Sequence, residues 1–183
     1  MLTKILQSRR NYCKTIFNST GVNLMWIIDN NTPVLERLEK ISKNNKAENI
    51  ETYDFEQLYT NIDLEDLKKC INEIIQECFK YTPKYLIANL ITKYAYWSNV
   101  KSKSKNIFNL TKEKIISHIN FLIDNIYISF CGKFYQQIKG IPMGTDCAPL
   151  LANLYLHYYE FKFLQKLRIK NNKLAKKYSN TYR

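Results

Sequence analysis

The chain has 183 residues, 45% of them hydrophobic and 14% aromatic, with 28 Lys or Arg against 16 Asp or Glu and a formal charge of +12. That length and apolar content suffice for one folded unit with a real core and exclude a disordered polyelectrolyte. The charge favours a polyanionic partner, because lysines that neutralise phosphates release counterions, although a composition this rich in Lys, Asn and Ile also has the mark of adenine- and thymine-rich coding DNA.

In chain order, residues 1–20 read as basic and mildly helical, and Gly21 breaks the pattern before a short apolar run at 24–28, a buried strand or a turn of helix. Thr32 can cap a helix with Pro33 in its first position, running to about Ser42 with Val34, Leu35, Leu38 and Ile41 on one side. A polar loop at 43–49 leads to an alternating segment, in which Ile50, Thr52, Asp54 and Glu56 share one face and Tyr53 and Phe55 the other. That alternation predicts a strand that anchors Tyr53 and Phe55 in a core and points Asp54 outward.

After a turn at 60–63, Asp63 can cap a helix over 64–79 with Leu64, Leu67, Ile71, Ile74, Ile75 and Cys78 inward. Residues 84–97 read as another helix, with Leu86, Leu90, Ile91 and Tyr94 inside. The Lys- and Ser-rich stretch 98–109, with Lys101, Lys103 and Lys105, is a candidate for a flexible phosphate-touching loop or an ordinary solvated one. A helix over 111–125 turns Ile115, Ile116, Ile119, Leu122 and Ile123 inward. The period then changes from 3.6 to 2, and 127–130 and 133–138 bracket Cys131-Gly132 as a hairpin, with Gly132 supplying the turn. Next comes a loop, 140–144, with two of the four glycines; Thr145 or Asp146 caps the following helix, Pro149 sits in its first turn, and Leu151, Leu154, Tyr158 and Phe161 pack it under a sheet.

The five cysteines are odd in number and form no C-x-x-C pair, so neither a disulfide framework nor a zinc site is indicated. They fit reduced thiols in an intracellular protein, nuclear or cytoplasmic rather than secreted. His118 and His157 have no Cys or Glu at ligand spacing and read as helix-face residues. No apolar run reaches the length of a membrane span and no signal-peptide core follows the start, which predicts a soluble protein without a membrane partner.

Function rests on two stretches, TYDFEQLYTNI at 52–62 and KGIPMGTDCAPLLANLYLHYYE at 139–160. Alone, an Asp near a strand end is usually a solvated or turn-making residue. Together, in order and spacing, the two stretches resemble motifs A and B of the reverse transcriptase palm, in wording closest to Penelope-like retroelement polymerases, with telomerase reverse transcriptase a more distant relative. The resemblance implies an α/β (α+β) fold, a helix-rich partial polymerase palm with a small antiparallel sheet packed with helices. Residues 1–49 would connect fingers to palm and 50–183 form the partial palm. The implied partners are an RNA template and DNA primer, or an RNA/DNA hybrid, and deoxynucleotides.

The resemblance also assigns roles. Two-metal nucleotidyl transfer needs a pair of Mg2+ ions roughly 4 Å apart, held by carboxylate oxygens. Asp54 matches the catalytic aspartate that bridges both metals, and the main-chain carbonyl of Phe55 matches the position that helps hold the triphosphate metal. Tyr59 matches the steric gate, a ring that would collide with a 2′-hydroxyl; the competing reading is a plain core tyrosine. In the loop Gly140, Pro142, Met143 and Gly144, glycines let the backbone approach a ligand and Pro142 stiffens it, and the resemblance sets it against the incoming nucleotide and template base. The family often has Asn where Asp146 stands.

No Tyr-x-Asp-Asp motif, the family's second source of metal carboxylates, occurs in the 183 residues; 178–183 resemble the approach to it. Nothing before Asp54 matches the family's basic finger motifs. Residues 1–28 lack an acid and could pass for a transit peptide, but fit better as an interior segment of a larger polymerase. Three readings follow. One is a truncated, decayed or split reverse transcriptase, inactive alone or completed by a second chain. Another is a non-catalytic basic nucleic-acid-binding module. The last is a structural protein of basic helical type. The first is the expectation carried forward.

Overall fold

The computed structural model of the protein describes residues 1–28, 30–43, 51, 54–141 and 144–181, with 180 and 181 described by backbone alone. Among them are seven helices and five strands: α1 (Leu2–Thr20), α2 (Thr32–Lys43), α3 (Leu58–Asn61), α4 (Leu64–Cys78), β1 (Tyr85–Asn89), β2 (Ala95–Ser98), β3 (Ile107–Leu110), α5 (Lys112–Asp124), β4 (Tyr127–Phe130), β5 (Lys133–Gln136), α6 (Ala148–Lys170) and α7 (Asn172–Thr181). The fold is α+β, with helices around two small antiparallel sheets.

Side-chain periodicity accounts for the centre. Leu67, Cys70, Ile71, Ile74, Ile75 and Cys78 fall on one face of α4, and all are buried. They meet Leu151, Leu154 and Tyr158 of α6, Ile115, Ile119 and Ile123 of α5, and Leu2, Ile5 and Leu6 of α1 in the main core. A second cluster joins Cys13, Val22, Leu24, Phe161, Leu164 and Ala175, so the 22–24 segment is buried as irregular chain rather than as strand or helix. Gly21 ends α1 at φ 69°, its N–H bonding Phe17 O at 2.7 Å, the left-handed cap that glycine adopts without strain.

Polar groups stitch α4 to α6. Tyr155 donates to Asp66 Oδ2 at 2.9 Å, Tyr159 donates to the same oxygen, and Glu73 accepts from Tyr158 at 2.8 Å and from Lys162 at 2.7 Å. Where α1, α4 and α6 converge, Arg9 is only 1% exposed. Its Nε donates to His157 Nε2 (3.1 Å), its Nη1 reaches Glu77 Oε2 (2.5 Å), and its guanidinium lies 3.8 Å from the Phe161 ring centre. His157 is therefore a buried core residue, unlike His118, which stays on the exposed face of α5.

The segment expected as a helix at 84–97 is a hairpin. β1 pairs with β2 (Leu86 opposite Trp97) and with β3 (Leu86 opposite Leu110) in the order β2-β1-β3. Leu86, Ala88, Ala95, Trp97 and Leu110 form the inner face, and Phe79 meets Trp97 edge-on at 5.1 Å. Asn109 ties the Lys-rich loop down, accepting from Ser102 N (2.7 Å) and donating to Ser102 O (2.9 Å).

The second hairpin is as expected. β4 pairs with β5 (Ile128 opposite Tyr135), and Cys131 (φ 50°) and Gly132 (φ 72°) are both left-handed, as a two-residue turn of the mirror-image type requires. Both its strands are exposed throughout.

Two further expectations are corrected. The N-cap of α6 is Cys147 rather than Thr145 or Asp146, and its side chain makes no cap hydrogen bond. Pro149 removes one first-turn donor and Ala148 N bonds Thr145 O at 3.0 Å, so a side-chain cap has less to satisfy. The inner face of α6 lies chiefly against α4, α7 and α1 rather than under a sheet.

Candidate functional site

The two motif stretches meet through their backbones. Gln57 takes a left-handed conformation (φ 54°) and starts the single turn of α3, after which Ile62 is extended and buried. Asp63 caps α4 as expected, accepting from Asp66 N at 2.8 Å. A one-turn helix leaves its carbonyls without intrahelical partners. The glycine loop supplies donors: Ile141 N–H bonds Tyr59 O at 2.6 Å and Gly140 N–H bonds Ile62 O at 2.8 Å. Lys139 Nζ adds a contact to Asn61 Oδ1 at 3.2 Å. Ile141 is buried in the main core beside Ile62.

Only glycine fits at 140. Its φ is +81°, and a Cβ there would stand 2.6 Å from Tyr59 O and 2.8 Å from Thr60 Cα. At Gly144 the same atom would meet nothing within 4 Å, so that end of the loop faces open space.

The expected site residues divide accordingly. Tyr59 and Gly140 are brought into contact, and Tyr59 is half-buried against the core with its carbonyl engaged by the loop. Asp54 is exposed, its Oδ1 accepting from Phe55 N at 2.8 Å. Phe55 is 59% exposed, which overturns its expected anchoring in the core; residues 54–55 are irregular rather than strand, as Asp54 bonds the very N–H a neighbouring strand would use. Thr52, Tyr53, Pro142 and Met143 lie outside the described residues.

A metal pair is a separate question of donor chemistry. Among the described residues no three His, Cys, Asp or Glu side chains converge as a metal-ion site. Asp54 by itself does not fit a two-ion centre, which needs several carboxylate oxygens.

The loop's docking was not foreseen in the sequence, because backbone hydrogen bonds have no side-chain signature. Its one signal was a glycine in a chain that has only four. The buried Arg9–His157 pair was also missed; Arg9 was legible only as a cation on the stripe Leu2, Ile5, Leu6, Cys13.

The chain is similar to a telomerase reverse transcriptase. It is 35% identical to that of Euplotes aediculatus over 69 residues, 38% of this chain and 6% of that protein. The relationship is reverse-transcriptase-like over part of the chain, which spans a small fraction of its relative's length. No family model matches the chain, and no solved structure matches it. No helix among the described residues is long and apolar enough to cross a membrane.

Proposed function

We propose that residues 50–183 serve as part of the palm of a retroelement-type, RNA-directed DNA polymerase of the Penelope-like kind, with 1–49 joining fingers to palm. The observation that carries this reading is the docking of the 139–141 loop on the turn at 59–62, since the two stretches that resemble motifs A and B lie far apart in the sequence and meet in space. On this reading Asp54 is the catalytic carboxylate, Tyr59 the gate beneath the sugar, and 140–144 the wall against which nucleotide and template base lie. The open space at Gly144 suits such a wall.

The described residues do not complete a two-Mg2+ site, and no step is derived through the ions. The remaining carboxylates would come from another segment or a second chain, and the 183 residues are inactive alone. The test is primer extension on an RNA template with deoxynucleotides and Mg2+. The purified chain should extend no primer above background. Robust extension that Asp54→Ala abolishes would refute the inactivity. Extension regained on adding a chain that bears Tyr-x-Asp-Asp, and lost again in Asp54→Ala, is the supporting result.

The second reading is a basic module that holds an RNA/DNA hybrid through its backbone. It is favoured by Lys84 and Lys101, each 5.6 Å from the Tyr85 ring centre on the β1–β3 sheet. Hybrid binding that weakens with salt, is indifferent to Mg2+ and survives Asp54→Ala would select it.

A further inference from the structure

The positive charge of the chain is concentrated in one stretch. Between Cys78 and Lys112 there are seven lysines and no Asp or Glu, so the segment that builds the β2-β1-β3 sheet supplies more than half of the formal charge of +12. Among the described residues, none of Lys84, Lys93, Lys101, Lys103 and Lys105 forms an ion pair with a carboxylate of the chain.

The outer face of the sheet orders these charges. Alternation sets Tyr94, Tyr96 and Ser98 on that face, and the register puts Ser98 opposite Tyr85 and Tyr96 opposite Ile87. The Lys-rich loop is pinned to the same face, because Asn109, opposite Ile87, holds Ser102 by both its N–H and its carbonyl, while Lys101 and Lys103 stay exposed. Two ammonium groups are thereby brought to one ring, Lys84 and Lys101 each lying 5.6 Å from the Tyr85 centre. Without a counter-charge they leave a positive potential that a bound anion relieves. At the other end Lys4 Nζ lies 5.0 Å from the Tyr94 ring, and Tyr94 (59% exposed) stacks on Tyr96 (41%) at 6.4 Å and 27°.

We propose that this face binds a single-stranded nucleic acid, with phosphates at the Lys84–Lys101 pair and along the pinned loop and with bases against Tyr94 and Tyr96. Charge alone would suit any polyanion. The exposed ring pair between the two lysine groups favours a strand whose bases are unstacked, since a duplex hides the base faces that rings stack on. The inference rests on the basic-module reading for its polyanion and replaces the hybrid with a single strand. It shares no residue with the loop and turn that carry the polymerase reading.

The probes are fluorescein-labelled oligo-rU and oligo-dT of about 15 nucleotides, long enough for one such site. Anisotropy with the full chain should show saturable binding that weakens with salt. Lys84→Gln/Lys101→Gln should weaken it about tenfold and reduce the salt slope by roughly 1 to 2. Tyr94→Leu/Tyr96→Leu should weaken it about tenfold and leave the slope unchanged. Lys133→Gln/Lys170→Gln removes the same charge from exposed positions elsewhere and should stay within about twofold of the parent. Hydrogen exchange tests the parent chain without any variant, and the oligonucleotide should slow exchange across 93–105. Either order of affinity between rU and dT supports the proposal and identifies the sugar. No saturable binding, an equal loss in the control pair, indifference to the tyrosines, protection only in other elements, or equal displacement by poly-glutamate would each overturn it. An RNA/DNA hybrid that binds more tightly than both single strands would overturn it and leave the basic-module reading standing, whereas failure of all three ligands would remove both.

Discussion

Gly140 and Gly144 bound one short loop and differ in what a methyl group would meet. At 140 it strikes backbone atoms of Tyr59 and Thr60, which cannot swing aside, and φ +81° is costly for any other residue. Gly140→Ala should therefore lower stability by about 1–3 kcal/mol and expose the Ile141 amide to hydrogen exchange, while Gly144→Ala should stay within about 0.5 kcal/mol of the parent in the same urea titration. Equal stability of the two variants would mean that the loop is not held by its docking on the turn. Arg9 and His157 make a second prediction at this scale. Nε2 of His157 accepts from Arg9, so the ring is neutral with its proton on Nδ1, which finds no protein partner among the described residues. Burial, aided by the Arg9 charge, pushes His157 down from 6.5 to about 3. Below pH 6.5 the unfolded chain takes up a proton that the folded chain refuses, so the full stability is present above 6.5 and is lost towards pH 3, by up to about 1.4 kcal/mol per pH unit. His157→Gln keeps an acceptor for Arg9 but cannot titrate. The gap between parent and variant in urea midpoint should close by that amount as pH falls from 7 to 4.5, and a constant gap would show that His157 is not the titrating group.

Among the elements, α4, α5 and the β4–β5 hairpin were legible because each has a local signal that tertiary context leaves intact: a capping Asp or Thr before an apolar stripe, or a glycine between two alternating runs. The 84–97 stretch was misread because Leu86, Leu90, Ile91 and Tyr94 imitate helical spacing. The better signals were the unbroken run Tyr85-Leu86-Ile87, all buried, and the aromatic-rich 94–97, both typical of strands. Asn89 makes the turn between them. Its Oδ1 accepts from Ile91 N (2.9 Å) and Thr92 N (3.1 Å), and its N–H bonds Tyr94 O (2.9 Å). Asn89→Ala should cost about 1 kcal/mol and raise exchange at the Ile91 and Thr92 amides; a helix-forming stretch would instead be stabilised by the alanine. The candidate site was half legible for a related reason. Motif wording identified Asp54, Tyr59 and the glycine loop as strings, whereas the contact between turn and loop runs through carbonyls and amides that every residue has.

In the whole molecule, α1 tests how far the basic start is structural. Its cations recur without acids, and the helix sorts them. Leu2, Ile5, Leu6, Arg9 and Cys13 follow the 3.6 period into the interior, while Lys14 is exposed and Arg10 and Lys14 line a groove on the other side. Leu2, Ile5 and Leu6 belong to the main core and Cys13 to the second, with Arg9 held by residues of both α4 and α6. Burying each large apolar side chain is worth about 1.5–3 kcal/mol, and the Arg9–Glu77 pair adds less than a fully buried pair would, because Glu77 is 37% exposed and screened by water. Their sum is comparable to the total stability of an ordinary domain, about 5–15 kcal/mol. A chain lacking residues 1–20 should therefore show no cooperative thermal transition by circular dichroism, even though α4, α5 and α6 keep helical propensity. A sharp transition close to that of the full chain would make α1 an appendage, and would leave the groove it walls without a rigid side.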